Sequence, residues 1–432
     1  MQKKFVEELR WRGMLQDIMP ETEDYLNQNI TSGYIGFDPS ADSLHIGSLV
    51  QIMILIHFQR AGHRPVVLIG GATGMIGDPS GKHNERNLLD AELLEKNIEG
   101  IRNQLRKFFD FNSKDQMGAK LINNYDWIKN FNLIDFFRDI GKHLTVNYMM
   151  AKDSVKKRLG SDAREGMSFT EFTYQLLQGY DFLHLYQKMD CKLQMGGSDQ
   201  WGNITTGTEL IRRKLGCRAY AITCPLITKA DGTKFGKTEG GNIWLDRNRT
   251  SPYKFYQYWL NTSDEDAENY VKIFTLLDKA TIEDLIQQHK ESPQLRLLQK
   301  TLSNEVTRLV HSEEDLQKAI NASQILFSRS NAEDLKKLDK QIFLDVFEGV
   351  PKAEISLTDL KAGIDIISLL ASKTSFLKSN AEARRALNEN SISVNKTRVD
   401  ESFKIGSIDL IDDQYILLQR GKKNYFVVKV VS

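Results

Sequence analysis

The stretch from Gly33 to Leu49 constrains this chain more than any other. Gly33 to Phe37 is a short apolar run that reads as a buried strand. Asp38-Pro39-Ser40-Ala41-Asp42 is turn chemistry and ends it. Ile46, Leu49, Val50, Met53, Ile54 and Ile56 then recur at helical spacing up to Gly62. A strand that turns through small residues into a helix is the unit of an α/β domain. It also presents free backbone N–H groups at the positive end of a helix dipole, where phosphate binds readily. His45 stands at that junction and can donate a hydrogen bond to a phosphate oxygen. Taken alone, a histidine at such a turn is more often a plain surface residue.

A second strand, Pro65 to Gly70, is apolar on both faces, as in a parallel sheet. It runs into Gly70-Gly71-Ala72-Thr73-Gly74-Met75-Ile76-Gly77-Asp78-Pro79-Ser80-Gly81-Lys82. A P-loop needs Gly where Ile76 stands and Ser or Thr where His83 stands, so that reading fails. What remains is a mobile, Gly-rich, basic loop carrying Lys82 and Arg86. Residues 88 to 110 read as a charged amphipathic helix, and Ala119 to Asn123 as a strand. Residues 135 to 150 mix aromatic and apolar side chains and read as core.

In the run Phe169 to Phe182, Tyr174, Gln178 and Asp181 fall at i, i+4 and i+7, on one helix face. Three polar groups between apolar neighbours suggest a lined pocket. Leu193 to Gly197 is a further strand, and Asp199 and Gln200 follow it. An acid after a strand and a small-residue turn suits a ribose, because a carboxylate can accept from two hydroxyls. Lys229 to Thr238 is a basic, Gly-rich loop with Asp231-Gly232 as its turn.

Composition bounds the rest. At 432 residues the chain holds two or three domains. Fifty-eight Lys and Arg stand against 57 Asp and Glu, a net charge of +1. RNA contact must therefore come from local basic patches rather than a global field. The three cysteines, Cys191, Cys217 and Cys224, have no metal-type spacing and read as free thiols in a reducing cytosol. No apolar run is long enough to span a membrane, and residues 1 to 8 do not read as a signal peptide.

From Ser251 the pattern turns helical: residues 253–260, 264–277, 282–289, 294–311 and 313–327. Residues 330–353 are charged and read as a linker with short helices. Residues 361–432 carry eight Lys and four Arg against eight acids. Within them Ser379 caps a helix bearing Arg384 and Arg385, and Asn390 takes the left-handed position after its end. Residues 415–419 and 425–431 flank Arg420-Gly421-Lys422-Lys423-Asn424 as a hairpin.

His45-Ile46-Gly47-Ser48 resembles the HIGH motif of class I aminoacyl-tRNA synthetases. Lys234-Phe235-Gly236-Lys237-Thr238 resembles their second motif, KMSKS, in its KFGKT form. Two motifs in the right order are far more specific than either alone. With Tyr34 and Asp181, the match is to the bacterial-type tyrosyl-tRNA synthetases and runs over nearly the whole chain. The resemblance implies a Rossmann-like parallel-sheet catalytic domain over residues 1–248 and a helical anticodon-binding domain over 249–330. It further implies a linker over 331–360 and a small α+β RNA-binding module over 361–432.

The activity it implies is tyrosine–tRNA ligation with ATP and Mg²⁺ and no structural metal, by a cytoplasmic homodimer whose interface includes residues 135–150. It places His45, Ser40, Lys82, Arg86, Lys234, Lys237 and Thr238 on the phosphates. Tyr34 and Asp181 would meet the phenolic hydroxyl, with Asp78, Tyr174, Gln178 and Gln194 at the amino end. Gly36, Asp38, Gly47, Ser48, Gly197, Asp199 and Gln200 complete the ATP site. Arg384, Arg385, Lys396, Arg398, Lys422 and Lys423 would face RNA. Ser48 departs from the usual fourth residue, His. A tryptophanyl-type synthetase, a non-catalytic RNA-binding relative and a smaller nucleotidyltransferase are the competing readings.

Overall fold

The computed structural model describes residues 4–78, 90–113, 117–153, 155–156, 167–238, 241–327, 333, 335, 340–348, 350–421 and 424–431. Two compact units divide the chain. The first takes residues 1–250 and 259–310, the second residues 251–258 and 311–432. The helices between Asp264 and Val310 therefore cluster with the first 250 residues, whereas all but the last two residues of the helix Pro252–Leu260 belong to the second unit.

The first unit is built on a six-stranded sheet. Its strands are β1 (Asp17–Ile18), β2 (Ser32–Phe37), β3 (Arg64–Ile69), β4 (Lys120–Asn123), β5 (Cys191–Gly197) and β6 (Tyr220–Cys224). The order is β1-β6-β5-β2-β3-β4, parallel except for β1 on the edge. The chain proceeds from β2 outward through β3 to β4, then returns to place β5 on the other side of β2. The order thus reverses between β2 and β5, and ligands of open α/β sheets bind at the carboxyl ends of strands at such a point. β2 and β3 are buried along nearly their whole length because both faces are covered by helices.

The helix predicted after β2 runs Ile46–Arg60, and ten of its fifteen residues are buried. The Phe169–Met189 helix starts at a capping box between Ser168 and Glu171 and stops where Asp190 turns left-handed. The Gly-rich segment after β3 starts as a short helix, Gly71–Ile76, rather than as a loop. Lys82 and Arg86 lie outside the described residues.

The apolar segment 135–150 is only partly core. Ile140, Leu144 and Met149 are buried, whereas Phe137, Val146 and Met150 are exposed, as are Leu133 and Ile134 just before the segment, by about two thirds.

The second unit contains a five-stranded sheet. Thr397–Arg398, Ile392–Val394, Tyr415–Arg420, Asn424–Val431 and Lys352–Ser356 lie in that order. The hairpin holds from Tyr415↔Lys429 to Arg420↔Asn424. Lys352–Ser356 pairs in parallel with the last strand, inside a stretch that reads as linker in the sequence. The helix Asn380–Asn388 is capped by Ser379, and Asn390 has φ 52°, the left-handed geometry expected of it.

Candidate active site

A cavity of about 180 Å³ opens at the carboxyl ends of β2 and β5. Tyr34, Gly36 and Asp38 reach it from β2 and the turn that follows. Gln194 comes from β5, and Asp199 and Gln200 from the turn after it. Asp78 comes from the segment after β3, and Tyr174, Gln178 and Asp181 from one face of the Phe169–Met189 helix. Ser48 lines it from the first turn of the Ile46–Arg60 helix. The described lining residues include four aspartates and no lysine, arginine or histidine. Such a cavity favours an ammonium group and hydroxyls over phosphates.

Tyr34 is 1 % exposed, and its hydroxyl has no hydrogen-bond partner among the described residues. Burial raises its pKa well above the ordinary value, and the Asp181 carboxylate raises it further. Asp181 is equally buried, and desolvation pushes its pKa up to about 7, against the opposing effect of two donors. These are Asn124 Nδ2 at 2.9 Å and Trp127 Nε1 at 2.8 Å. Gln194 Oε1 is a second buried acceptor with no partner among the described residues. A buried hydroxyl and a buried amide oxygen in one cavity cost free energy until a ligand satisfies them.

Asp38 and Asp78 each gather side-chain donors. Tyr174 Oη donates to Asp38 Oδ2 at 3.1 Å, and Thr73 Oγ1 donates to Asp38 Oδ1 at 3.1 Å. Gln200 Nε2 donates to Asp78 Oδ2 at 2.6 Å, and Asn203 Nδ2 to Asp78 Oδ1 at 3.4 Å. Asp38 thus holds the Tyr174 and Thr73 side chains, one on each carboxylate oxygen. Burial raises the pKa of Asp199.

Asn124, Trp127, Thr73 and Asn203 are positioning residues that the sequence does not announce. Asn124 is fully buried, donates to Asp181 and to Thr73 Oγ1, and accepts from the amide of Ala72. The one available signal was the Asn123-Asn124 pair at the carboxyl end of β4.

His45 is the N-cap of its helix. Its Nδ1 accepts from the Gly47 amide at 3.0 Å. That bond assigns the proton to Nε2, which is left as a donor. Desolvation lowers the ring's pKa from its ordinary value. Gly47 is required by this arrangement, because a Cβ there would lie 2.7 Å from His45 Cε1.

The second motif is carried to the same place. Thr228 bridges Lys234, and Lys229 accepts from Gly232 at 2.9 Å to close the turn. Gly236 has φ +79° and lies so close to Ile46 that a Cβ would meet its Cγ1 at 2.8 Å. Phe235 anchors the loop, stacked on Phe274 at 5.3 Å and edge-on to Tyr270 at 5.0 Å. Lys234 and Lys237 are exposed. The backbone of Lys237–Thr238 pairs with Gly241–Asn242. Ser40, His45, Gly47, Gly197, Lys234 and Lys237 are not among the described lining residues. The acidic cavity is thus accompanied by an imidazole and two exposed ammonium groups carried on two motifs that pack together at Ile46 and Gly236.

The family model for class I tRNA synthetases of the tryptophan and tyrosine type matches residues 27–328. A model for the C-terminal domain of tyrosine–tRNA ligases matches residues 343–428. A tyrosine–tRNA ligase of Flavobacterium johnsoniae is 63% identical over 431 residues, 99% of this chain and 100% of that one. The chain belongs to the tyrosyl-tRNA synthetase family. A tyrosine–tRNA ligase of Bacteroides fragilis is 61% identical, covering 98% of this chain and 99% of its own length. Among solved structures, a C-terminally truncated mitochondrial tyrosyl-tRNA synthetase of Aspergillus nidulans superposes with a TM-score of 0.67 at 29% identity. That match covers 75% of this chain and 94% of the other. A tryptophanyl-tRNA synthetase of Plasmodium falciparum, at 14% identity and TM-score 0.52, shares the fold.

In the second unit Arg384, Arg385 and Arg398 are exposed. Lys396 instead donates its ammonium to the Ile325 carbonyl at 2.5 Å. Lys422 and Lys423 lie outside the described residues.

Proposed function

We infer that this enzyme activates L-tyrosine with ATP and transfers it to the terminal adenosine of tRNA(Tyr). The tyrosine carboxylate attacks the α-phosphorus and expels pyrophosphate. A ribose hydroxyl of the tRNA then attacks the activated carbonyl and releases AMP. No protein nucleophile is needed, so catalysis is positioning plus charge stabilisation. The observation that carries this reading is the sealed pair of Tyr34 hydroxyl and Asp181 carboxylate in an aspartate-lined cavity. That pair suits a phenol, which can donate to the carboxylate and accept from Tyr34. Asp78, Tyr174, Gln178 and Gln194 surround the ammonium end, and Asp199 and Gln200 lie where a ribose would be held.

His45 Nε2, Lys234, Lys237 and Thr238 serve the phosphates at the rim, with Ser40, Gly47 and Ser48 on the turn beside them. Lys82 and Arg86 are assigned to the same phosphates. Mg²⁺ enters with the triphosphate, as part of the substrate. The exposed apolar side chains between Leu133 and Met150 support a homodimer through that face. The three free thiols and a soluble role in translation support a cytoplasmic location; no described helix is long and apolar enough to cross a membrane. Arg384, Arg385 and Arg398 support RNA contact by the C-terminal module, and residues 249–330 are proposed to take the anticodon.

The test is single-turnover adenylate formation with His45→Ala, alongside equilibrium tyrosine binding. A loss of about 100-fold in rate with unchanged binding is expected for one preorganised donor. A near-normal rate would remove His45 from the mechanism.

A further inference from the structure

We propose that Trp244 is the positioning residue for His45, held in place by Arg249. This rests on the assignment of His45 to the phosphates. Residues 243–245 follow the second motif and run back along the first. The Ile46 amide donates to the Ile243 carbonyl at 3.0 Å, and the Leu245 amide to the Leu44 carbonyl at 2.8 Å. His45 and Trp244 face each other across this two-sided backbone bridge. Their rings meet edge to face, 6.3 Å between centroids and 69° between planes. That is a favoured aromatic geometry, and it leaves the imidazole one side walled by a large rigid ring.

Trp244 is fixed in turn. Arg249 lies with its guanidinium carbon 4.7 Å over the indole, and the same group pairs with Asp42 in the turn before His45. Asp42 is also 3.7 Å from Lys96. The Asp246 amide reaches Ser43 Oγ, and Ser43 Oγ accepts from Gln104 Nε2 at 2.8 Å. The imidazole is thus held on one edge by the Gly47 amide and on a second side by the indole. The indole belongs to the segment that leaves the KFGKT loop. A shift of that loop is passed to His45 through Trp244, so the two phosphate-binding motifs act as one unit.

The test is a double-mutant cycle on single-turnover adenylate formation, with tyrosine affinity measured separately. Trp244→Leu should slow the step about tenfold with tyrosine affinity unchanged, as expected for a misplaced catalytic group. In a His45→Ala background the same substitution should change the rate less than about twofold, because nothing remains to position. Trp244→Phe should restore most of the rate by keeping an edge-to-face partner. Arg249 is exposed, so Arg249→Gln keeps the question answerable if Trp244→Leu folds poorly; it should give a smaller loss with the same dependence on His45. An equal loss from Trp244→Leu in both backgrounds, or no loss where His45→Ala is severely slowed, would overturn the proposal. If His45→Ala itself were fully active, the assignment of His45 would fall, and with it this role for Trp244.

Discussion

Replacing Gly47 with Ala separates stability from catalysis at a single atom. A Cβ at this position would lie 2.7 Å from His45 Cε1 and 2.9 Å from Nδ1, where ordinary contact begins at 3.4 Å. Either the imidazole withdraws or the helix start shifts. Gly47 is in the first turn of the Ile46–Arg60 helix, where Ala is intrinsically better by up to about 1 kcal/mol. The helix therefore has reason to stay, and the ring, exposed on its outer edge, has room to leave. Losing one preorganised donor costs about 3 kcal/mol of transition-state stabilisation, or about 100-fold in rate. The withdrawn ring gives up its cap bond to the Gly47 amide, about 1 kcal/mol, which offsets the gain from Ala, so we predict a melting temperature near the parent's, unchanged tyrosine binding, and adenylate formation slowed about 100-fold in a quenched-flow assay. An intact rate would refute the argument that the folded-back His45 ring is the working conformation. A large fall in melting temperature would show that the helix start, not the ring, had moved.

Further predictions concern the pocket, the loop and the C-terminal module. Tyr34→Phe removes one of the two groups facing the phenol position, so preference for tyrosine over phenylalanine in adenylate formation should narrow by about tenfold or more; unchanged selectivity would take Tyr34 out of the pocket. Asp181 holds its proton up to about pH 7 in the folded enzyme but only to about 4 when unfolded. Its contribution to stability should therefore decline as pH rises from about 4 to about 7, and tyrosine affinity should rise through pH 7 as the carboxylate forms. Asp181→Asn should flatten both profiles in titrations by calorimetry. Phe235→Ala should cost about 2 kcal/mol of stability, since its half-buried ring packs on Phe274 and Tyr270, and should slow adenylate formation more than it weakens tyrosine binding. Arg384→Ala with Arg385→Ala should weaken tRNA binding and lower its salt dependence while leaving tyrosine-dependent pyrophosphate exchange unchanged.

Long apolar strands and strongly periodic helices were legible because local pattern decides them. β2, β3 and the helix after His45 are of this kind, and so is the face that brings Tyr174, Gln178 and Asp181 together. β1 and the Lys352–Ser356 strand were not legible. Both are short edge strands whose existence depends on a partner far away in sequence. Asn124 and Trp127 escaped for a similar reason, since their meaning lies in reaching Asp181 from the end of a different strand. The Gly-rich segment after β3 looked like loop throughout. Its first six residues form a helix, because the Ala72 amide finds the Asn124 side chain and the end of β3 directs the chain into a turn. The basic module was readable as charge, but not that Lys396 would spend its ammonium on the Ile325 carbonyl.

The most direct measurement is amino-acid-dependent ATP–pyrophosphate exchange, without tRNA, on the parent enzyme with Mg²⁺ present. Tyrosine, phenylalanine and tryptophan are compared at equal concentration. Strong exchange with tyrosine and little with the other two is the result that a sealed Tyr34–Asp181 pair requires. Exchange with tryptophan, or none with any of the three from folded protein, would contradict it.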